Sequence, residues 1–69
     1  MDLRVRVGLN VQEARHQRGF SQEELAHNAD VHQTYLSGVE RGKRNPSLLV
    51  LGRIAGALNL DVSELLRHR

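Results

Sequence analysis

Three polar side chains, Gln33, Thr34 and Ser37, stand at the first, second and fifth positions of a segment that we expect to be helical. At that spacing all three can point into one groove when the amino end of the helix enters it. Gln can pair with adenine through two hydrogen bonds, and Thr and Ser can contact bases or thymine methyl groups. We therefore interpret these residues as candidates for reading DNA bases, although on an arbitrary helix they would be ordinary surface residues.

A cationic cluster follows the same segment. Arg41, Lys43 and Arg44 lie close together with only Glu40 opposing them, in a chain whose formal net charge is +2. Such a cluster suits a polyanionic partner, and contacts to phosphates would hold a protein on DNA without reading sequence. A charge run is as often just a solvated surface, so the cluster alone does not decide between these roles.

Two short helices joined by a tight turn are predicted around these residues. Ser21 and Glu24 form a capping-box pattern, which predicts a helix that begins at Gln22. Asp30 can adopt the unusual backbone angle of the turn, and a second helix is expected from His32 or Gln33 to a C-cap at Gly42. The apolar residues predicted to face inward are Leu25, Ala26, Ala29, Val31, Leu36 and Val39.

Three further helices are predicted outside this pair. The first runs from near Val7 to Gln17 or Arg18, and the residues before it, Leu3 and Val5, are expected to be a frayed lead-in. Ser47 can cap a fourth helix that ends at Asn59, and Asp61 or Ser63 can start a short fifth one. The apolar stripes are Val7, Val11 and Ala14 in the first helix, Leu48, Leu51, Ile54, Ala55 and Leu58 in the fourth, and Leu65 and Leu66 in the fifth, with Phe20 also in the core. The fold class is therefore all-α.

The segments SQEELA and YLSGVERGKRNPS, in this order and spacing, resemble the helix-turn-helix of phage repressor and Cro-type transcriptional regulators, the Xre family. The resemblance extends from about Val7 to Leu66. It implies a compact five-helix bundle of the lambda-repressor-like DNA-binding type, with the helix-turn-helix proper at about residues 21–42. The phrase TYLSGVERG is also similar to controller proteins of bacterial restriction-modification systems, which implies a bacterial or phage origin. Two positions depart from the pattern: Asp30, where the family usually has Gly, and Ala14, where a larger apolar residue is common.

The resemblance also implies roles for individual residues. Gln22 would bind a backbone phosphate and steady Gln33, while Arg15 and Glu40 would form a structural ion pair. Tyr35, near the start of the second helix, can meet a phosphate or lie against a sugar, or instead pack on the protein surface. The predicted phosphate-binding residues are therefore Gln22, Tyr35, Arg41, Lys43 and Arg44.

Size and composition limit the other classes of function. A chain of 69 residues is expected to form one domain, residues 1–69, and without Cys nothing argues for an oxidising compartment, so the cytoplasm is expected. The first ten residues lack the apolar run of a signal peptide or membrane span. The four His residues do not have ligand spacing, and we expect no metal, no cofactor and no enzymatic activity.

The function that these patterns predict is sequence-specific binding to double-stranded DNA in transcriptional regulation. One helix reads only a few base pairs, so a homodimer on a pseudo-palindromic operator is expected. Its candidate interface lies in the last two helices, at Leu49, Val50, Leu60, Val62 and Leu66, which would otherwise be core or scattered surface residues. The alternative is an antitoxin-like module that binds a toxin or another protein, with DNA binding secondary.

Overall fold

The computed structural model describes residues 1–69 and contains five α-helices and no strand. They are α1 (Leu3–Gln17), α2 (Gln22–Ala29), α3 (Gln33–Glu40), α4 (Leu48–Ala57) and α5 (Val62–Leu65). The predicted all-α, five-helix fold is confirmed, with α2 and α3 as the central helix-turn-helix. None of the helices combines the length and apolar character that crossing a membrane requires.

The predicted start and stop signals form most of the helix ends. The Ser21 hydroxyl accepts the Glu24 amide at 3.0 Å, and the Glu24 carboxylate accepts the Ser21 amide at 2.8 Å, which completes the capping box of α2. The bond from the Ser21 amide above all, and the Ser21 side chain to a lesser degree, lower the pKa of the Glu24 carboxyl. Asp61 starts α5 in the same way, and Ser47 caps α4. After α3, Gly42 turns the chain at a φ of +73°, a region where a Cβ is disfavoured.

The predicted frayed lead-in is wrong, because α1 begins at Leu3 and includes Val5. The cause is Asp2, whose carboxylate accepts the Arg4 amide at 2.7 Å and so caps the first turn. The Arg4 guanidinium also bonds this carboxylate and, with the backbone bond, lowers the pKa of Asp2. Leu3 is 53% exposed and Val5 39%, so the Asp2 cap supports this turn without full burial of either side chain.

One apolar core joins the helices, with α2 packed on α4 and α1 packed on α3. The predicted inward residues of α1, α2 and α3 are buried, and Phe20 and Val31 pack against the core from its edge. Leu48 is an error of the prediction, because 72% of it is exposed. It occupies the first position of α4, beyond the point where neighbouring helices cover the apolar stripe that Leu51 and Ile54 continue.

Helix α1 crosses the carboxyl end of α3 at very short range. A Cβ on Gly8 would lie 2.5 Å from the backbone oxygen of Val39 and 2.7 Å from that of Glu40. Only glycine permits this approach, because neither backbone oxygen can move aside. The close crossing brings the polar side chains of α1 within bonding distance of Glu40.

Candidate nucleic-acid interface

The carboxyl end of α3 is fastened to the protein through Glu40, which is only 3% exposed. The Arg15 guanidinium bonds both carboxylate oxygens, with distances of 2.8 Å from Nε and 3.1 Å from Nη2. The amide of Gln12 donates to the Glu40 backbone oxygen at 2.8 Å. This end of α3 is therefore held by charge-assisted and neutral hydrogen bonds from α1. The ion pair between Arg15 and Glu40 that the resemblance implied is confirmed.

Gln22 has a different partner from the one implied by the resemblance. Its Nε2 donates to Glu40 Oε1 at 3.1 Å, at the opposite end of α3 from Gln33. In the free protein Gln22 thus joins the network around Glu40, and its support of Gln33 stays a prediction. Its contact with a phosphate stays a prediction, since the amide nitrogen carries a second hydrogen that this bond does not use.

The amino end of α3 is open. Gln33 and Thr34 are exposed, and Ser37 is half-buried one turn later. His32 precedes the helix in an extended conformation and provides no side-chain cap. The first amides of α3 are therefore available to an outside acceptor, in the way that helix amino ends bind phosphate. The three predicted base-reading residues lie on this end and on the turn that follows it.

The cationic side chains after α3 differ in the contacts that they make within the protein. Arg44 folds back over α3, with its guanidinium carbon 5.6 Å from the centre of the Tyr35 ring and its Cγ 2.7 Å from where a Cβ on Gly38 would stand. Arg41 Nε bonds the Ser37 backbone oxygen at 3.4 Å. Lys43 is exposed. Tyr35 and Arg44 thus form one stacked unit beside the exposed end of α3, where a cation over an aromatic ring is stabilised.

The turn between α2 and α3 contains the one non-glycine residue of this region with a positive φ. Asp30 has φ of 57° and ψ of 48°, the left-handed conformation predicted for it. Arg53 of α4 reaches this turn: its Nε donates to the Ala29 backbone oxygen at 3.2 Å and its Nη2 to that of Asp30 at 3.4 Å. The sequence analysis missed Arg53, because a bond from a side chain to a distant backbone oxygen has no local pattern.

Asn10 is another residue that the sequence analysis missed, and unlike Arg53 it is buried. Its amide donates to the backbone oxygens of Leu65 at 2.9 Å and Arg67 at 3.0 Å, and its Oδ1 accepts from Arg69. Arg67 also pairs with Glu13 of α1. These bonds fix the end of α5 and the residues that follow it on α1.

The candidate dimer residues differ in exposure. Leu49 is 81% exposed and continues the exposed surface of Leu48 at the start of α4. The other four, Val50, Leu60, Val62 and Leu66, are half-buried and pack against the edge of the core. Each of these four already has a structural role, so Leu49 is the only one of the five that is almost wholly available to a partner.

Comparison with known proteins gives a consistent result. The helix-turn-helix family model matches residues 11–65. Control protein C.SmaI of Serratia marcescens is 41% identical over 69 residues, which covers 100% of this chain and 82% of that protein. The crystal structure of the restriction-modification controller protein C.AhdI from Aeromonas hydrophila matches with a TM-score of 0.88 and 40% identity, over 90% of this chain and 94% of that one. A structure of SinR, the master regulator for biofilm formation, in complex with DNA matches with a TM-score of 0.85 and 35% identity, over 88% of this chain and 98% of that one.

Proposed function

The chain belongs to the helix-turn-helix family, and we propose that it is a transcriptional regulator that binds double-stranded DNA with α3 in the major groove. Residues 1–69 act in this proposal as one DNA-binding unit, with the helix-turn-helix at about residues 21–42. Its relatives named as control or controller proteins come from bacteria, and we further propose that it works in a bacterial cytoplasm.

The observation that carries the proposal is the asymmetry of α3. Its carboxyl end is fixed through the buried Glu40, whereas its amino end exposes Gln33 and Thr34. A helix of eight residues is about 12 Å long, so its exposed end can enter the major groove while the other end stays in the protein. Gln33, Thr34 and Ser37 are then the base-reading residues.

Phosphate contacts on both sides of α3 would hold this position. Lys43 is exposed and can bind a DNA phosphate, and Arg44 lies over the Tyr35 ring beside α3. Arg41 and Gln22 lie at the carboxyl end of α3 and the amino end of α2. Contacts of this kind set register and add affinity for any sequence, so their loss would weaken all DNA binding alike.

We also propose that the protein binds its operator as a homodimer through α4 and α5. The adjacent exposed leucines Leu48 and Leu49 are unusual on a domain of this size, and burial against a second copy would remove their apolar surface from water. Val50, Leu60, Val62 and Leu66 would form the rest of the contact. A two-fold dimer places two recognition helices about 34 Å apart, one turn of DNA, and so requires a pseudo-palindromic site.

Selection of binding sites from random duplexes tests the proposal. The expected result is an enriched pair of inverted half-sites separated by about one helical turn, bound with an affinity that falls steeply as salt rises. The matched control is a variant with both Gln33 and Thr34 changed to Ala, which should keep the salt-sensitive binding but lose the enriched sequence. Recovery of no preferred sequence by the unmodified protein would overturn the proposal.

A further inference from the structure

Helix α3 has no local device that fixes its starting direction. His32 provides no side-chain cap, and only Asp30, Val31 and His32 separate the end of α2 from the start of α3. Because the carboxyl end of α3 is held through Glu40, the turn decides where the amino end, which carries Gln33 and Thr34, lies. Something outside the two helices must therefore fix the turn for side chains on α3 to meet base edges in register.

The turn itself is conformationally costly. Asp30 is left-handed, a conformation that is strained for a residue with a Cβ unless its surroundings hold it there. The Asp30 amide bonds the His27 oxygen at 3.2 Å and the Val31 amide bonds the Ala26 oxygen at 3.0 Å, which closes the end of α2. The backbone oxygens of Ala29 and Asp30 have their partner elsewhere, in the guanidinium of Arg53.

The geometry of Arg53 suits this function better than a surface ion pair would. Its two donors bond consecutive backbone oxygens of the turn, so the planar group fixes the orientation of the two peptide groups on either side of Asp30. A cation at the carboxyl end of α2 is also favoured by the helix dipole. Arg53 projects from the middle of α4, so the bonds link the turn to the helix that bears Leu49.

We propose that Arg53 is a positioning residue for the recognition helix: from α4 it holds the left-handed turn at Asp30 and thereby sets the direction in which α3 enters the groove. The proposal rests on the proposed DNA-binding function and adds a specificity determinant that does not itself touch DNA. It also places the turn and the proposed dimer surface on one rigid connection, so the spacing of two recognition helices depends on Arg53.

The test compares Arg53→Met with Arg18→Met, which removes the same charge from an exposed site at the end of α1. Affinity is measured for the selected operator and for an unrelated duplex at one salt concentration. Arg53→Met should reduce the ratio of the two affinities about tenfold, while Arg18→Met lowers both alike and keeps the ratio. A role of Arg53 in stability alone would scale both affinities by the folded fraction and would also keep the ratio.

Two more measurements make the outcome decisive. Arg53→Lys, which retains the charge and one donor, should restore part of the ratio, and it replaces the Met variant if that one unfolds. In Asp30→Gly, where the left-handed turn is intrinsically favourable, the further change Arg53→Met should cost less specificity than in the original chain. Hydrogen exchange of the Val31 amide, without DNA, should accelerate about tenfold in Arg53→Met.

The failure of this inference is distinguishable from failure of the proposed function. If the unmodified protein prefers its selected operator and Arg53→Met keeps the same ratio and the same Val31 exchange as Arg18→Met, the inference is wrong and DNA binding stands. If the unmodified protein has no preferred duplex, the proposed function fails first. The inference would also be overturned if Arg53→Met caused the same loss of specificity in the Asp30→Gly variant as in the original chain.

Discussion

At the scale of single residues, the site divides into side chains that are fixed and side chains that are free. Glu40 accepts bonds from Arg15 and Gln22 within the protein, and the burial of this group removes two charges from water. Such a pair orients more than it stabilises, because desolvation offsets much of the attraction. The ion pair matters to the site because it prevents α3 from rotating about its own axis, which keeps Gln33 and Thr34 exposed.

Gln33→Ala should relax the preference at one adenine of each half-site by about 1 to 3 kcal/mol, because the substitution removes a two-bond contact with the base. Competition binding with the four possible base pairs at that position measures the change. Lys43→Ala is the matched comparison, since it should weaken binding to every duplex and lower the salt slope by about 1. Retention of the adenine preference by Gln33→Ala would contradict the assignment of Gln33.

Residue types and spacing predicted the exposed half of the candidate site but not the network that supports it. Gln33 and Thr34 follow a capped helix and a turn, and such local signals were sufficient to place them outward. Gln12, Asn10 and Arg53 act on backbone oxygens that are far away in the sequence. Any exposed Asn, Gln or Arg has the same local appearance, so only the packing of α1 and α4 reveals which of them bond.

At the scale of elements, local capping decides where four of the five helices begin, α3 being the exception. Asp2 accounts for the early start of α1, which the sequence analysis missed because Leu3 and Val5 alternate with polar residues as a strand would. Leu48 was misplaced for a different reason. A periodic stripe identifies the buried face of a helix, but it does not tell how far along the helix the neighbouring elements extend.

Ser21→Ala should destabilise the protein by about 1 kcal/mol, because the hydroxyl no longer accepts the Glu24 amide at the start of α2. The pKa of Glu24 should move part of the way back toward its ordinary value, while the lowered pKa of Asp61 in the box of α5 stays unchanged. Chemical denaturation and carbon-detected NMR titration measure the two effects.

The pH dependence follows from the direction of the shift. Because folding lowers the pKa of Glu24, its contribution to stability is complete above the ordinary pKa and is lost as the pH falls through the lower value of the folded state. Glu24→Gln retains a capping-box acceptor and should flatten this part of the acid unfolding curve. A curve as steep as that of the original chain would count against the role of Glu24.

Gly8→Ala should destabilise the protein by more than about 2 kcal/mol, because the added Cβ would meet two backbone oxygens of α3 and push α1 away from Glu40. Gly56→Ala is the matched control: it lies within α4, meets nothing within 4 Å, and should stabilise the protein by up to about 1 kcal/mol. Thermal unfolding of both variants measures the difference. Equal stability of the two would show that the crossing of α1 and α3 is looser than described.

At the scale of the whole molecule, the two surfaces with proposed functions are joined by α4. The open end of α3 depends on a turn that Arg53 holds, and Arg53 lies in the same helix as Leu49. A second copy that docks on Leu48 and Leu49 would therefore meet the helix that positions the recognition turn. Residue types, helix spacing and the resemblance together predicted both surfaces, but the connection between them required the structure, since it depends on a bond between residues far apart in the chain.

Leu49→Gln tests the proposed dimer with little disturbance of the monomer, because Leu49 is 81% exposed and contributes little to the core. In a two-fold interface each substitution counts twice, and burial of one Leu side chain contributes about 1.5 to 3 kcal/mol. The dimer should thus lose about 3 to 6 kcal/mol, roughly a hundredfold to ten-thousandfold in its dissociation constant.

Sedimentation over a range of concentrations measures this loss, and affinity for a duplex with one half-site provides the control. That affinity should not change, because α3 and its supporting bonds are intact in a monomer, whereas affinity for two half-sites should fall. An unchanged dimer in Leu49→Gln would mean that the partner, if one binds, uses another surface.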